Sequence, residues 1–177
     1  MNLQYLTLGG GCFWCIEAAF SQMKGVVSAT SGYMGGHLVN PTYRQICEGD
    51  TGHAEVVQVC YNPREIDTET LLLVFFSLHD PTQLNRQGHD IGTQYRSVLF
   101  YENPEQQLYF QQFLKQIASS YDNPVVTTLE PLATFYAAES YHQGYVAANP
   151  NQMYCQVVVK PKLLKFKQNY AQLIKAE

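Results

Sequence analysis

Two cysteines three positions apart give the first chemical signal in this chain: Cys12 and Cys15, in the run Gly9-Gly10-Gly11-Cys12-Phe13-Trp14-Cys15. A glycine bend delivers Cys12 to the start of a predicted helix, where unpaired backbone N–H groups and the helix dipole favour negative charge. That setting lowers a thiol pKa and predicts a thiolate at neutral pH. Cys15 follows one turn later on the same face, within disulfide reach of Cys12. A C-x-x-C at a helix start reads as a redox pair, and the plainer reading is two buried thiols. Zinc would need two further ligands. Neither Cys47, Cys60 and Cys155 nor the histidines at 37, 53, 79, 89 and 142 supply a second close pair, so no metal is expected.

The elements that must hold this pair can be traced along the chain. Leu3–Leu8 reads as a strand running into the glycines. Phe13, Ile16, Phe20 and Met23 have helical spacing, and Gly25 stops them. Strands are predicted over Val26–Tyr33 and Glu55–Tyr61, with a long loop, Met34 to Gly52, between them. Asp67 caps a helix over Thr68–Leu78. A second long loop, Asp80 to Tyr95, leads to a strand over Arg96–Tyr101. Asn103-Pro104 then opens a helix with apolar residues at Leu108, Phe110, Phe113, Leu114 and Ile117. Short strands near Val125–Leu129 and Ala133–Ala137, a helical turn around Ser140–Ala147, a last strand at Cys155–Val159 and a Lys-rich helix complete the reading. The order β-α-β-β-α-β predicts an α+β fold, a ferredoxin-like split βαβ sandwich with additional C-terminal strands and helices. The two long loops stand out, since ordered loops of that length usually serve function.

Composition narrows the class. At 177 residues, 46% hydrophobic and 15% charged, the chain suits one domain over 1–177, and disorder is excluded. Net charge is −4 and no basic face is visible, which argues against nucleic acid or anionic lipid as partner. The longest apolar run, Leu71–Phe76, is too short for a membrane span, and the first residues lack a cationic segment followed by an apolar stretch. Five cysteines at irregular spacing do not form a secreted disulfide framework; a cytoplasmic chain with free thiols is expected. With 13 Tyr and 9 Phe, many rings must reach a polar partner or line a cleft.

Gly11-Cys12-Phe13-Trp14 resembles the active-site signature of class A peptide-methionine sulfoxide reductases. The resemblance continues in Gly32-Tyr33-Met34-Gly35-Gly36, Pro41-Thr42-Tyr43 and Gly52-His53-Ala54-Glu55-Val56-Val57. It extends through His79-Asp80-Pro81-Thr82, Asp90-Ile91-Gly92-Thr93-Gln94-Tyr95-Arg96-Ser97 and Ala138-Glu139-Ser140-Tyr141-His142-Gln143, in the family's order over about residues 8 to 150. The resemblance implies reduction of methionine-S-sulfoxide, in proteins and as the free amino acid, and hence repair of oxidised proteins. It implies Cys12 as nucleophile and Glu55 as acid. Phe13 and Trp14 would form the apolar pocket for the S-methyl group, Tyr43 and Tyr95 would donate to the sulfoxide oxygen, and Asp90 would sit in the same site. Oxygen transfer leaves a sulfenic acid on Cys12, which a second thiol converts to a disulfide that thioredoxin reduces. No cofactor is implied.

The chain departs from the family's commonest pattern at Cys15, where many members have glycine, and in its tail, where Tyr154-Cys155 runs into Val-Val-Val rather than a glycine-rich segment. Cys15 is favoured as the resolving thiol because it is local to Cys12, with Cys155 as its rival. Cys47 and Cys60 read as structural thiols, and His53 and His142 as supporting hydrogen-bond groups. Taken alone, each site residue has a plainer role: Phe13 and Trp14 as core, Glu55 as a solvated edge carboxylate, the tyrosines as two of 13. Two other functions compete. A thioredoxin-like thiol–disulfide exchanger would use Cys12 and Cys15 but leave the Glu55 block unexplained. A peptide-binding module with a tyrosine-lined groove would leave the activated cysteine unexplained.

Overall fold

The computed structural model describes residues 2–176. Its first half is β1 (Gln4–Gly9), α1 (Phe13–Ser21), β2 (Val26–Met34), α2 (Tyr43–Glu48), β3 (Ala54–Tyr61) and α3 (Thr68–Leu78). There follow a small hairpin of β4 (Arg86–Gln87) and β5 (Asp90–Ile91), then β6 (Val98–Tyr101), α4 (Pro104–Ala118), β7 (Thr128–Pro131) and β8 (Tyr136–Ala137). The chain closes with α5 (Tyr145–Ala148) and α6 (Lys160–Asn169). The main sheet has the order β7-β6-β1-β3-β2-β8. Within it, β6, β1, β3 and β2 are antiparallel neighbours, with α1 joining β1 to β2 and α3 between β3 and β6. This is the split βαβ arrangement that the sequence predicts. β7 extends the sheet in parallel with β6, and β8 pairs with the outer edge of β2.

Strand alternation divides the apolar residues between two cores. On one face Leu6, Leu8, Val57 and Val59 meet Ile16, Phe20, Leu72, Phe75, Leu163 and Phe166 from α1, α3 and α6. On the other face Met34, Ala54, Val56, Val98 and Phe100 form a smaller cluster under Phe135. Each fully buried Phe or Leu stabilises the fold by about 1.5–3 kcal/mol. Helix starts follow side-chain capping: Asp67 accepts from the Thr70 N–H at 2.8 Å, and Asn103 from the Gln106 N–H at 2.8 Å. No helix among the described residues is long and apolar enough to cross a membrane.

Four segments differ from the sequence reading. The Met34–Gly52 loop contains α2, opened by a Thr42/Gln45 capping box and stopped by Gly49 in the left-handed conformation. The strand expected near Ala133–Ala137 shrinks to Tyr136–Ala137, and the one near Val125–Leu129 shifts to Thr128–Pro131. Cys155–Val159 is no strand but a π-helical turn leading into α6. Its buried positions, Cys155 and Val159, continue as Leu163 and Phe166, a helical period that outweighs the β-branched Val-Val-Val run. Pro161, which lacks an N–H to give to a preceding carbonyl, follows this widened turn.

Candidate active site

Cys12 is the N-cap of α1, with extended backbone and a partly open side chain. Gly11 before it has φ +84°, and its N–H donates to the Tyr95 carbonyl at 3.1 Å. A side-chain carbon at Gly9 would lie 2.5 Å from the Glu55 carbonyl oxygen. The glycines thus let the end of β1, the start of β3 and the turn at Tyr95 close around one sulfur.

Glu55, second in β3, shares strand parity with Val57 and Val59 and so faces the layer covered by α1. It is 1% exposed. Its Oε1 accepts from the Phe13 N–H at 3.3 Å, while Oε2 is buried with no hydrogen-bond partner among the described residues. Burial pushes the carboxyl up to about 8; the Phe13 N–H pulls the other way and the Asp90 charge adds to the rise. At neutral pH the group holds a proton. Since Oε1 already accepts, that proton belongs on Oε2.

The electrostatics of Cys12 run opposite to the sequence expectation. Burial, then the charges of Glu55 and Cys15, push the thiol well above its ordinary range, and the Trp14 N–H only partly opposes them. Glu55 ionises before Cys12, so a Cys12 thiolate would be a second anion at the positive end of α1, which is disfavoured. The resting site is therefore a thiol beside a carboxylic acid, both neutral. Cys15, at the third position of α1, is buried, and burial raises its thiol to about 11 against the opposing pull of Lys162.

Aromatic rings build the wall next to this pair. The Phe13 ring lies 5.7 Å from Tyr33, 6.5 Å from Tyr43 and 5.2 Å from His142. Trp14 stacks on Tyr145 at 3.8 Å and meets the edge of Tyr154 at 5.7 Å. Its indole N–H donates to His142 Nδ1 at 2.9 Å, and burial lowers the His142 pKa, so the imidazole is neutral with its proton on Nε2. Tyr43 and Tyr95 are half-buried, and burial followed by the Glu55 charge pushes both phenols up, keeping them as O–H donors. Glu139 accepts from the Tyr33 hydroxyl at 3.1 Å, the Tyr43 N–H at 3.0 Å and the Tyr141 hydroxyl at 3.2 Å, fixing the start of α2. On the opposite side Asp90, in β5, accepts from the Tyr154 hydroxyl at 2.6 Å.

A neutral thiol, a protonated buried acid and an apolar cage suit a substrate with a polar oxygen next to a small apolar group. Comparison with known proteins agrees with this chemistry. The family model for peptide methionine sulfoxide reductase matches residues 4–174. The chain belongs to this family. It is 53% identical over 169 residues to the peptide methionine sulfoxide reductase MsrA of Chromobacterium violaceum, covering 94% of this chain and 96% of the relative. Reduced Mxr1 from Saccharomyces cerevisiae superposes with a TM-score of 0.80 at 36% identity, covering 87% of this chain and 90% of that one. Mxr1 in complex with Trx2 gives a TM-score of 0.56 at 26% identity, with 81% and 85% coverage.

The fold gathers Cys12, Phe13, Trp14, Tyr43, Glu55, Asp90 and Tyr95 around one site. Sequence reasoning missed four neighbours. Tyr145 and Tyr154 were not singled out, Glu139 was noted only within a motif, and His142 was assigned a supporting bond without its place against Phe13 and Trp14. The abundance of tyrosine was the one signal for Tyr145 and Tyr154, whereas Glu139 and His142 lie in the Ala138–Gln143 motif. Cys60 is buried, as a structural thiol would be, but Cys47 is exposed on α2. Cys155 is 0% exposed, and its neighbour Tyr154 reaches into the site.

Proposed function

We propose that the chain reduces methionine sulfoxide at Cys12, with Glu55 as acid and thioredoxin as final reductant. The observation that supports this most is the buried Glu55 carboxyl, bonded through Oε1 to the Phe13 N–H, with Oε2 unpartnered among the described residues and its charge felt by the Cys12 thiol. A sulfoxide is a weak electrophile until its oxygen is protonated. Glu55 Oε2–H gives that proton while Tyr43 and Tyr95 donate to the same oxygen, in the manner of an oxyanion hole. The Cys12 sulfur attacks, its thiol proton passes to the Glu55 carboxylate, and the S–O bond transfers oxygen to the enzyme. Methionine leaves, reduced by two electrons, and Cys12 becomes a sulfenic acid, oxidised by two. Phe13 and Trp14, the latter held by His142 and Tyr145, enclose the S-methyl group.

Cys15 then attacks the Cys12 sulfenic sulfur, releasing water and forming a disulfide. Cys12 is the N-cap and Cys15 the third position of α1, one turn on, and the Cys15 charge is among those that raise the Cys12 thiol. Cys155 is the second reading, supported by Tyr154, whose hydrogen bond to Asp90 and edge contact with Trp14 anchor that segment against the site. Thioredoxin is carried over from the complex of Mxr1 with Trx2, and its dithiol restores both cysteines by exchange. Residues 1–177 act as one reductase domain, and five unpaired thiols fit a reducing cytoplasm. A thiol–disulfide exchanger would need neither the buried acid nor the aromatic cage. Incubation with both sulfoxide epimers, with product analysis and thiol counting after one turnover, tests the reading: only the S epimer should be consumed, with loss of two thiols. Disulfide reduction without sulfoxide consumption would favour the exchanger.

A further inference from the structure

A cleft of about 920 Å³ opens beside Cys12, with Asp90 and Tyr154 also in its lining. It reaches the upper end of the volumes that hold whole drug-sized ligands, far more than one methionine side chain needs. One wall is the face of the C-terminal helical segment that carries Val158, Lys162, Lys165 and Asn169. At 1.5 Å per residue that wall is roughly 16 Å long, the span of about five residues of extended chain. The other wall carries Asp80 and Asp122, with Asp90 near the Cys12 end. Ion pairs within 4.0 Å among the described residues join Arg44 to Glu48 and Arg96 to Glu130, so the lysines and aspartates face the cleft without pairing across it.

We propose that this cleft seats the polypeptide flank of an oxidised methionine in extended form, with Lys162 and Lys165 selecting acidic side chains on that flank. The proposal rests on the reductase reading above and adds to it a preference for charge at set positions on the flank of a peptide-bound substrate. An extended strand turns successive side chains to opposite sides, so alternate residues meet the lysine wall and those between them the aspartate wall. Charge preference should therefore alternate with position along one flank of the methionine.

The test uses peptides with a central methionine-S-sulfoxide and one glutamate or one lysine moved through the four positions on either side. Single-turnover kcat/KM is read for each, together with N-acetylmethionine sulfoxide amide as the flankless reference. Glutamate should be favoured over lysine by about two- to fivefold at alternate positions on one flank, the scale of a solvent-exposed ion pair. The double substitution Lys162→Glu/Lys165→Glu should reverse that ratio. Because the ratio compares two peptides on one enzyme, a general loss of activity cancels. Equal rates at all positions, or a ratio unchanged by the double substitution, would overturn the proposal. A rise in KM for thioredoxin with peptide ratios intact would give the cleft to the reductant and overturn it as well. If even the flankless reference is not reduced by the wild type, the reductase reading itself fails.

Discussion

Replacing Glu55 by Gln should change the pH dependence of stability as well as the rate. The carboxyl has an ordinary value of 4.5, and burial moves it to about 8 in the fold. A group raised in this way favours the folded state fully below the unfolded value, and that contribution is lost as pH rises through the folded value. The slope approaches 1.4 kcal/mol per pH unit while the folded protein holds one more proton than the unfolded chain. Between pH 5 and 8 the wild type should therefore lose about 3 kcal/mol relative to Glu55→Gln. Other titrating groups are common to both proteins and cancel in the difference. Glutamine leaves an N–H group where Oε2 had no partner, a cost that does not vary with pH. The assay is urea unfolding of both proteins at pH 5, 6, 7 and 8. The oxygen-accepting step, read by single turnover, should be slower in the variant by roughly two to four orders of magnitude. In the wild type it should fall about tenfold between pH 7 and 9 as Glu55 loses its proton. Parallel stability curves, or a Gln variant as fast as the wild type, would show that Glu55 neither holds the proton nor delivers it.

Tyr43→Phe and Tyr95→Phe should each slow the oxygen-accepting step by roughly 10²-fold, the scale of one lost donor to a developing oxyanion, with smaller changes in substrate binding measured by KM. Cys15→Ser should reduce one equivalent of sulfoxide and then stall with thioredoxin, accumulating sulfenic acid, while Cys155→Ser cycles nearly normally. Peptide mapping of the oxidised enzyme checks this: a Cys12–Cys155 disulfide with Cys15 free would reverse the assignment.

Local signals in the sequence were enough for much of the fold. Asp67 and the apolar run behind it bound α3 at Thr68–Leu78, and Asn103-Pro104 open α4 where expected. The pattern failed where two signals conflicted. Thr42-x-x-Gln45 is a capping box in plain view, but the surrounding Gly, Asn and Pro residues read as loop. Val157-Val158-Val159 favours a strand by residue type, while Cys155, Val159, Leu163 and Phe166 repeat with a helical period. The site shows a different limit. Its signature residues were legible as short motifs, yet the Trp14–His142 bond spans 128 positions and the Tyr43–Glu139 bond 96, and no local pattern encodes such a pairing. The thiol of Cys12 shows the same limit: the helix start alone predicts a thiolate, and only the fold brings the buried Glu55 to that helix end.

The central claim is that Cys12 takes the oxygen. The most direct measurement is one turnover of the Cys15→Ser/Cys155→Ser double variant with a single equivalent of methionine-S-sulfoxide, trapping with dimedone, and mass mapping of the adduct. One equivalent of methionine with the adduct on Cys12 is the predicted result. Methionine formed with Cys12 unmodified, or formed by Cys12→Ser well above background, would contradict it.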